Sequence, residues 1–382
     1  MDGAWNRALD LLVEKFGKRK ISQVVRRVAT LPVEVPSWGF GRGGTRFASY
    51  PSGREPKTVA RRIAAAGKFH KLTGKGETVA LHFPWDGSTR EDIALVARCL
   101  KKAGVKPGTI NLNLFSMRGK GALDARLRFG SLTSPLASVR KASVAHGFEC
   151  IRIMRKLGSD TIVLWLPDGT NSPGQMSLYD QADRLDESCK AIYKGLRGRE
   201  KMLIEYKLFE PGFYSTAIQD YARSRSLCRM LGPKAKVLVD LGHHAPSINV
   251  EQIIAHLVRE GDLGGFHFND SYYADDDLAT GSLHPAQLFR IMCTLVEGEL
   301  RGCQKVNKIA FMIDQSHCVK DPMEELVEST ENIETAYAKA LLVDWDALKT
   351  AQDKCDPSAA DAILRDAFLT DVRPLLAAAR EG

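Results

Sequence analysis

"VLVDLGHHAPSIN" (residues 237–249) opens as an unbroken apolar run and then stops on Asp240, Gly242, His243 and His244. Val and Leu without polar alternation read as a strand buried on both faces, the kind a parallel sheet contains. The charged ending recurs elsewhere. "MLIEYK" (202–207) finishes on Glu205 and Lys207, "GGFHFND" (264–270) contains His267, and "IAFMIDQS" (309–316) contains Asp314. Four earlier segments, "VPSWG" (35–39), "VALHF" (79–83), "TINLNLF" (109–115) and "TIVLWL" (161–166), also read as strands. Helical periodicity occupies 90–102, 138–157, 178–195, 216–230, 250–260, 285–300 and 323–343.

Eight strands separated by helices predict an α/β protein built as a (β/α)8 TIM barrel. An open doubly wound sheet fits this length and strand–helix rhythm less well. Residues 1–31 read as a helical lead, 32–343 as the barrel and 344–382 as a helical tail, with no repeat or low-complexity linker between them. In such a barrel the catalytic groups sit at the carboxyl ends of the strands, so the charged endings are expected to converge there.

Composition narrows the class. The 382 residues are 44% hydrophobic and 26% charged, enough to bury a large globular core. No apolar stretch approaches the roughly 20 residues needed to cross a bilayer. The start, "MDGAWNRALDLLVEKFGKRK", lacks the apolar centre of a signal peptide, so a cytoplasmic location without membrane contact is expected. Eight cysteines without a CxxC pair argue against a disulfide framework or a thiolate metal site and read mostly as core residues. The net charge of +8 is uneven: residues 1–150 hold 27 Lys and Arg against 11 Asp and Glu, while the remainder is net acidic. Those basic residues are scattered along helix-like segments without interleaved aromatics. They read as solvated faces, and nucleic acid is not an expected partner.

Glu205 and Lys207, two apart on a strand, project to the same side. Asp240, His243, His267 and Asp314 stand at the next three strand ends, with Asp275, Asp276 and Asp277 in the loop after His267. Carboxylates and imidazoles enclosed without partners would cost several kcal/mol each. A divalent cation is the simplest compensation. Oxygen donors with imidazole and no thiolate favour Mn²⁺, with Co²⁺, Mg²⁺ and Zn²⁺ as alternatives. Each residue also has a plainer reading. Asp275–Asp277 suit a solvated loop, His244 and His317 suit hydrogen-bonded structural positions, and Trp38, Phe115 and Trp165 suit a core.

"VPSWGFGRGGTRF", "LHFPWD", "DGTNSPGQ", "EYKLFEPGFYSTAIQD", "VDLGHHAPSIN", "GGFHFNDSYYADDDL" and "MIDQSHCVKDPMEELVES" occur in this order between about residues 33 and 343. Together they resemble the bacterial L-rhamnose isomerase family of the broad-specificity type, a relative of xylose isomerase. The resemblance implies a homo-oligomer, tetramer or dimer, that interconverts aldoses and ketoses such as L-rhamnose and L-rhamnulose or D-allose and D-psicose. The implied route is a metal-assisted hydride shift between C1 and C2 with two divalent ions. One site would use Glu205, Asp240, His267 and Asp314. A second, more open site would share Glu205 and add His243, Asp275 and Asp277. Lys207 would bond the sugar's O1, His82 would assist ring opening or contact O5, and Trp38, Phe115 and Trp165 would wall the sugar. Lys207, His82, Asp314 and His243 are thus the implied catalytic set. The chain departs from the family at Tyr206, where relatives can carry His, at Pro167 and at Ala274, where Gly is usual. Two other readings are a ketose 3-epimerase on a similar barrel and a metal-dependent nuclease of the endonuclease IV kind.

Overall fold

Eight parallel strands ring a common axis in a computed structural model that describes residues 3–41, 53, 55–117, 124–210, 215–272, 277–315 and 320–381. They are β1 (Val35–Pro36), β2 (Thr78–Phe83), β3 (Lys106–Leu112), β4 (Thr161–Leu164), β5 (Lys201–Glu205), β6 (Ala235–Asp240), β7 (Leu263–Phe268) and β8 (Ala310–Ile313). Each is hydrogen-bonded to the next in parallel register. Glu34 bridges the ends of the ring: its N–H donates to Phe311 O at 2.7 Å and its carbonyl accepts from Ile313 N at 3.0 Å. This bridge nearly closes the barrel, as the (β/α)8 reading expects. All eight expected strands are present, most of them stopping short of the expected carboxyl-terminal bound, so Phe115, Trp165, Lys207 and Asp314 lie just past the ladders.

Strand alternation divides the residues between two cores. Inside the ring, Val163, Leu203, Leu238 and Met312 form a separate buried apolar plug. Burying each such side chain contributes about 1.5–3 kcal/mol. Two residues further along the same strands come Trp165, Glu205, Asp240 and Asp314, so one period of the pleat carries the interior from apolar to functional. Gly264 makes room for the plug, since a Cβ there would stand 2.4 Å from Leu203 Cδ2 and 2.6 Å from Lys236 Cβ. The alternate residues, including Leu81, Ile110, Ile162, Ile204, Val237 and Phe266, face the helices in the main core.

The expected helices appear as Arg90–Ala103, Ala137–Leu157, Leu178–Tyr193, Tyr221–Leu231, Val250–Arg259, Pro285–Leu300 and Pro322–Leu342. The fourth starts five residues later than expected. Asp220 caps it, accepting from Arg223 N at 2.8 Å, and Ser215–Thr216 pairs antiparallel with Gly169–Thr170 instead. A further helix, Val59–Thr73, is absent from the sequence reading. Gly67 interrupts its periodicity, and a Cβ there would lie 2.6 Å from Ala103 O, so the glycine serves close approach to the next helix.

The first 31 residues contain the helices Gly3–Phe16 and Lys18–Ala29, and the last 39 contain Trp345–Asp353, Pro357–Leu369 and Arg373–Glu381. Buried Lys75 fastens the lead. Its Nζ donates to the carbonyls of Val28, Ala29 and Leu31 at 2.5, 2.9 and 3.1 Å, placing a cation at a helix carboxyl end, and it pairs with Glu334 at 3.4 Å. Burial lowers the Lys75 pKa and raises that of Glu334. Among the described residues no helix is long and apolar enough to cross a membrane. Of the described cysteines, Cys150, Cys189, Cys228 and Cys293 are buried, Cys99 is half-buried, and Cys303 and Cys355 are exposed, so most are core residues as expected.

Candidate metal centre and adjoining pocket

The ends of β5, β6, β7 and β8 bring Glu205, Asp240, His243, His267 and Asp314 into one cluster. Two groups of three place their donor atoms within 4.8 Å of one another: Glu205, Asp240 and His243, and Asp240, His267 and Asp314. Donors about 2.0–2.6 Å from a shared cation stand at most about 5 Å apart, so both groups have the span of a metal site. Glu205 Oε1 lies 3.3 Å from His243 Nδ1, and Oε2 lies 3.2 Å from His267 Nδ1. Its two oxygens thus face different imidazoles. Asp240, however, is the member common to both groups, where the sequence reading gave that place to Glu205.

His267 tests whether a cation fits. Its Nδ1 is buried and faces Glu205, Asp314 and Asp240 oxygens at 3.2, 3.5 and 3.7 Å, yet makes no hydrogen bond. A buried nitrogen amid three carboxylates, near two of them but hydrogen-bonded to none, is an arrangement that suits a shared positive centre. Burial alone would lower the His267 pKa, but Glu205, Asp314 and Asp240 outweigh it and raise it to about 10. Burial likewise raises the Glu205 pKa, and His267, His243 and Lys207 reverse the effect to leave it lowered. The acid and imidazole cluster can bind a metal.

Partner groups orient the donors. Gly242 N and Asn269 Nδ2 donate to Asp240 Oδ1 at 2.8 and 3.0 Å. Trp38 Nε1 donates to Asp314 Oδ1 at 2.9 Å. His243 Nδ1 bonds the Tyr206 carbonyl at 2.9 Å. His244 lies outside both groups, hydrogen-bonded to the Tyr206 hydroxyl at 2.7 Å, in the structural place the sequence suggested. Asp277 is described, half-buried with φ 49°, and belongs to neither group. Asp275, Asp276 and His317 lie outside the described residues.

The ends of β1 to β4 carry aromatic side chains. Trp38 meets His82 edge to face at 5.6 Å, His82 approaches Phe115 at 5.7 Å, and Phe115 meets Trp165 at 5.2 Å. Lys207 joins this wall to the cluster: its Nζ stands 5.3 Å above the Trp165 ring and pairs with Glu210 at 2.5 Å. Trp38, His82, Phe115, Trp165 and Lys207, all named from the sequence, stand together here with four neighbours that the sequence reading does not name. Trp85 stacks on His82 at 4.0 Å. Asp86 accepts from Ser37 Oγ at 2.5 Å, from His82 N at 2.8 Å and from Arg62 at 2.7 Å, fixing the turns that carry Trp38 and His82. Glu210 and Asn269 complete the set. "PWD" directly after a strand end is a usable signal for Trp85 and Asp86, and the three-residue spacing of Lys207 and Glu210 is one for Glu210, whereas Asn269 reveals itself only through Asp240 in space.

Residues 72–292 match the model of the xylose isomerase-like TIM barrel. The chain belongs to that family. Within it, a probable sugar isomerase of Mesorhizobium japonicum is 41% identical over 97% of this chain and 85% of its own length. A second, from Rhizobium meliloti, is 40% identical over 99% of this chain and 87% of its own. Among solved structures, L-ribulose 3-epimerase aligns with a TM-score of 0.55 at 14% identity, over 82% of this chain and 97% of that one. A xylose isomerase domain protein of Alicyclobacillus acidocaldarius aligns with a TM-score of 0.54 at 15% identity, over 81% and 98%. At such identities the structural likenesses establish the xylose isomerase-like fold alone.

Proposed function

We propose that the protein is a metal-dependent sugar isomerase that interconverts aldoses and ketoses, with L-rhamnose and L-rhamnulose or D-allose and D-psicose as its substrates. One observation carries this reading: Glu205, Asp240, His243, His267 and Asp314 gather at the mouth of one barrel, opposite an aromatic wall, with Lys207 between. The probable sugar isomerases at about 40% identity support it. Two divalent ions, Mn²⁺ first, fit the oxygen and imidazole donors, the five residues being their ligands together with Asp275 and Asp277. When bound, such cations supply Lewis acidity toward the oxygens at the sugar's C1 and C2.

The chain's own groups do the rest. Lys207, steadied by Glu210, offers its ammonium to O1 as negative charge grows there. Trp38, Trp85, Phe115 and Trp165 cover the sugar's apolar side and keep water from the reacting carbons. His82, inside that wall, contacts the ring oxygen during opening. Assembly as a dimer or tetramer in the cytoplasm belongs to the same reading.

A ketose 3-epimerase is the second reading. Glu205, Asp240 and Asp314 all face His267 Nδ1, and a ligand set of this kind would suffice for a one-ion reaction at C3. A nuclease would need basic residues tracking a phosphate backbone, and the described rim at β1 to β4 is aromatic instead. A panel of L-rhamnose, L-mannose, D-allose and D-ribose with their ketoses, incubated with Mn²⁺ and read by product identity, separates these readings. Aldose–ketose interconversion supports the isomerase. Ketose-to-ketose exchange with no aldose overturns it in favour of the epimerase.

A further inference from the structure

The doublet His243–His244 contains one imidazole inside the acid cluster and one outside it, and both are fastened to a single residue of the neighbouring strand end. The ladder between β5 and β6 stops at the pair Glu205 and Leu238. Beyond it, Tyr206 alone makes two bonds to the next loop: its carbonyl to His243 Nδ1 at 2.9 Å and its hydroxyl to His244 Nε2 at 2.7 Å. A carbonyl only accepts, so His243 Nδ1 carries the hydrogen of the first bond. His244 Nδ1 stands 3.3 Å from the Leu241 carbonyl and by the same logic is protonated, which leaves Nε2 to accept from the Tyr206 hydroxyl. The Tyr206 side chain is 1% exposed and meets the His244 ring edge to face at 5.5 Å. Around these bonds the loop lacks regular structure and includes Ser247 in the left-handed region at φ 79°.

We propose that the Tyr206–His244 pair is a latch that sets where His243 stands against Glu205 and Asp240, making both of them positioning residues for the cation held there. The proposal rests on the reading that His243 is a metal ligand. A buried hydrogen bond one residue away from a ligand on each side limits the ligand's sway without touching the ion. Groups that orient metal ligands in this way typically carry a ten- to hundred-fold share of metal affinity.

Mn²⁺ titration calorimetry on the metal-stripped full chain, with Co²⁺ visible absorption as a second readout, tests it. Tyr206→Phe and His244→Leu should each weaken one ion about ten-fold and alter its Co²⁺ spectrum, leaving the other ion unchanged. The double variant should be little worse than either single one, because both break the same bond. His244→Gln, which keeps an acceptor for the hydroxyl, should recover most of the affinity. His243→Ala should remove the same ion outright. If His243→Ala leaves Mn²⁺ binding intact, the ligand reading falls and the latch with it. If His243→Ala removes one ion while Tyr206→Phe and His244→Leu lower only the melting temperature, the latch alone is overturned.

Discussion

One half of the barrel mouth is built to hold charge and the other to exclude water. The ends of β5 to β8 supply Glu205, Asp240, His243, His267 and Asp314, whereas those of β1 to β4 supply Trp38, His82, Phe115 and Trp165, with Trp85 stacked on His82. The acidic bias of the chain after residue 150 anticipates this division. Two seams join the halves, Trp38 to Asp314 where β1 meets β8, and Lys207 to Trp165 where β4 meets β5. On the proposed function the contrast is a division of labour: the charged half would bind and polarise, and the aromatic half would make that polarisation effective by lowering the local dielectric constant. Substitutions in the two halves should therefore fail in different ways.

The sharpest break is Glu205→Gln, which removes a donor facing both imidazoles. It should abolish tight Mn²⁺ binding by calorimetry and lower kcat by about a thousand-fold or more, the scale of several kcal/mol of lost Lewis-acid stabilisation. Lys207→Met, at one seam, should leave Mn²⁺ affinity intact and lower kcat by about a hundred-fold, as loss of an oxyanion donor does. Trp38→Phe, at the other seam, keeps an aromatic ring but removes the Nε1 hydrogen bond to Asp314. It should weaken Mn²⁺ about ten-fold, which no substitution confined to the wall should do. Phe115→Leu should raise KM a few-fold with Mn²⁺ affinity unchanged, since ring contacts are worth about 0.5–1.5 kcal/mol. Lys75→Met lies outside both halves: urea unfolding should show a loss of about 3 kcal/mol from breaking a buried pair, with kcat and Mn²⁺ affinity unmoved.

The charged half was the more legible in the sequence. A carboxylate or imidazole that ends an apolar run is conspicuous, and the barrel's strand alternation then assigns its direction. Glu205, Asp240, His267 and Asp314 could be placed at one mouth for that reason. Aromatic residues give no such contrast, because Trp85 or Phe115 would look the same in an ordinary core. Asn269 escaped notice since its role is a hydrogen bond to Asp240 on another strand, whereas Glu210 and Asp86 sit in turns where a carboxylate is unremarkable. The Val59–Thr73 helix escaped because Gly67 reads as a breaker until the Ala103 carbonyl beside it is seen. Carboxyl-terminal strand bounds were overextended at Lys207 and Asp314, where the polar pattern of the strand continues after its ladder has ended.

The most direct measurement of the central claim is the Mn²⁺ content of the purified chain after metal stripping and reloading, compared between wild type and Glu205→Gln. Two ions per wild-type chain, and none tightly held by the variant, is the expected result. A wild-type chain that binds no divalent ion, or a variant that binds as tightly as wild type, would contradict the account.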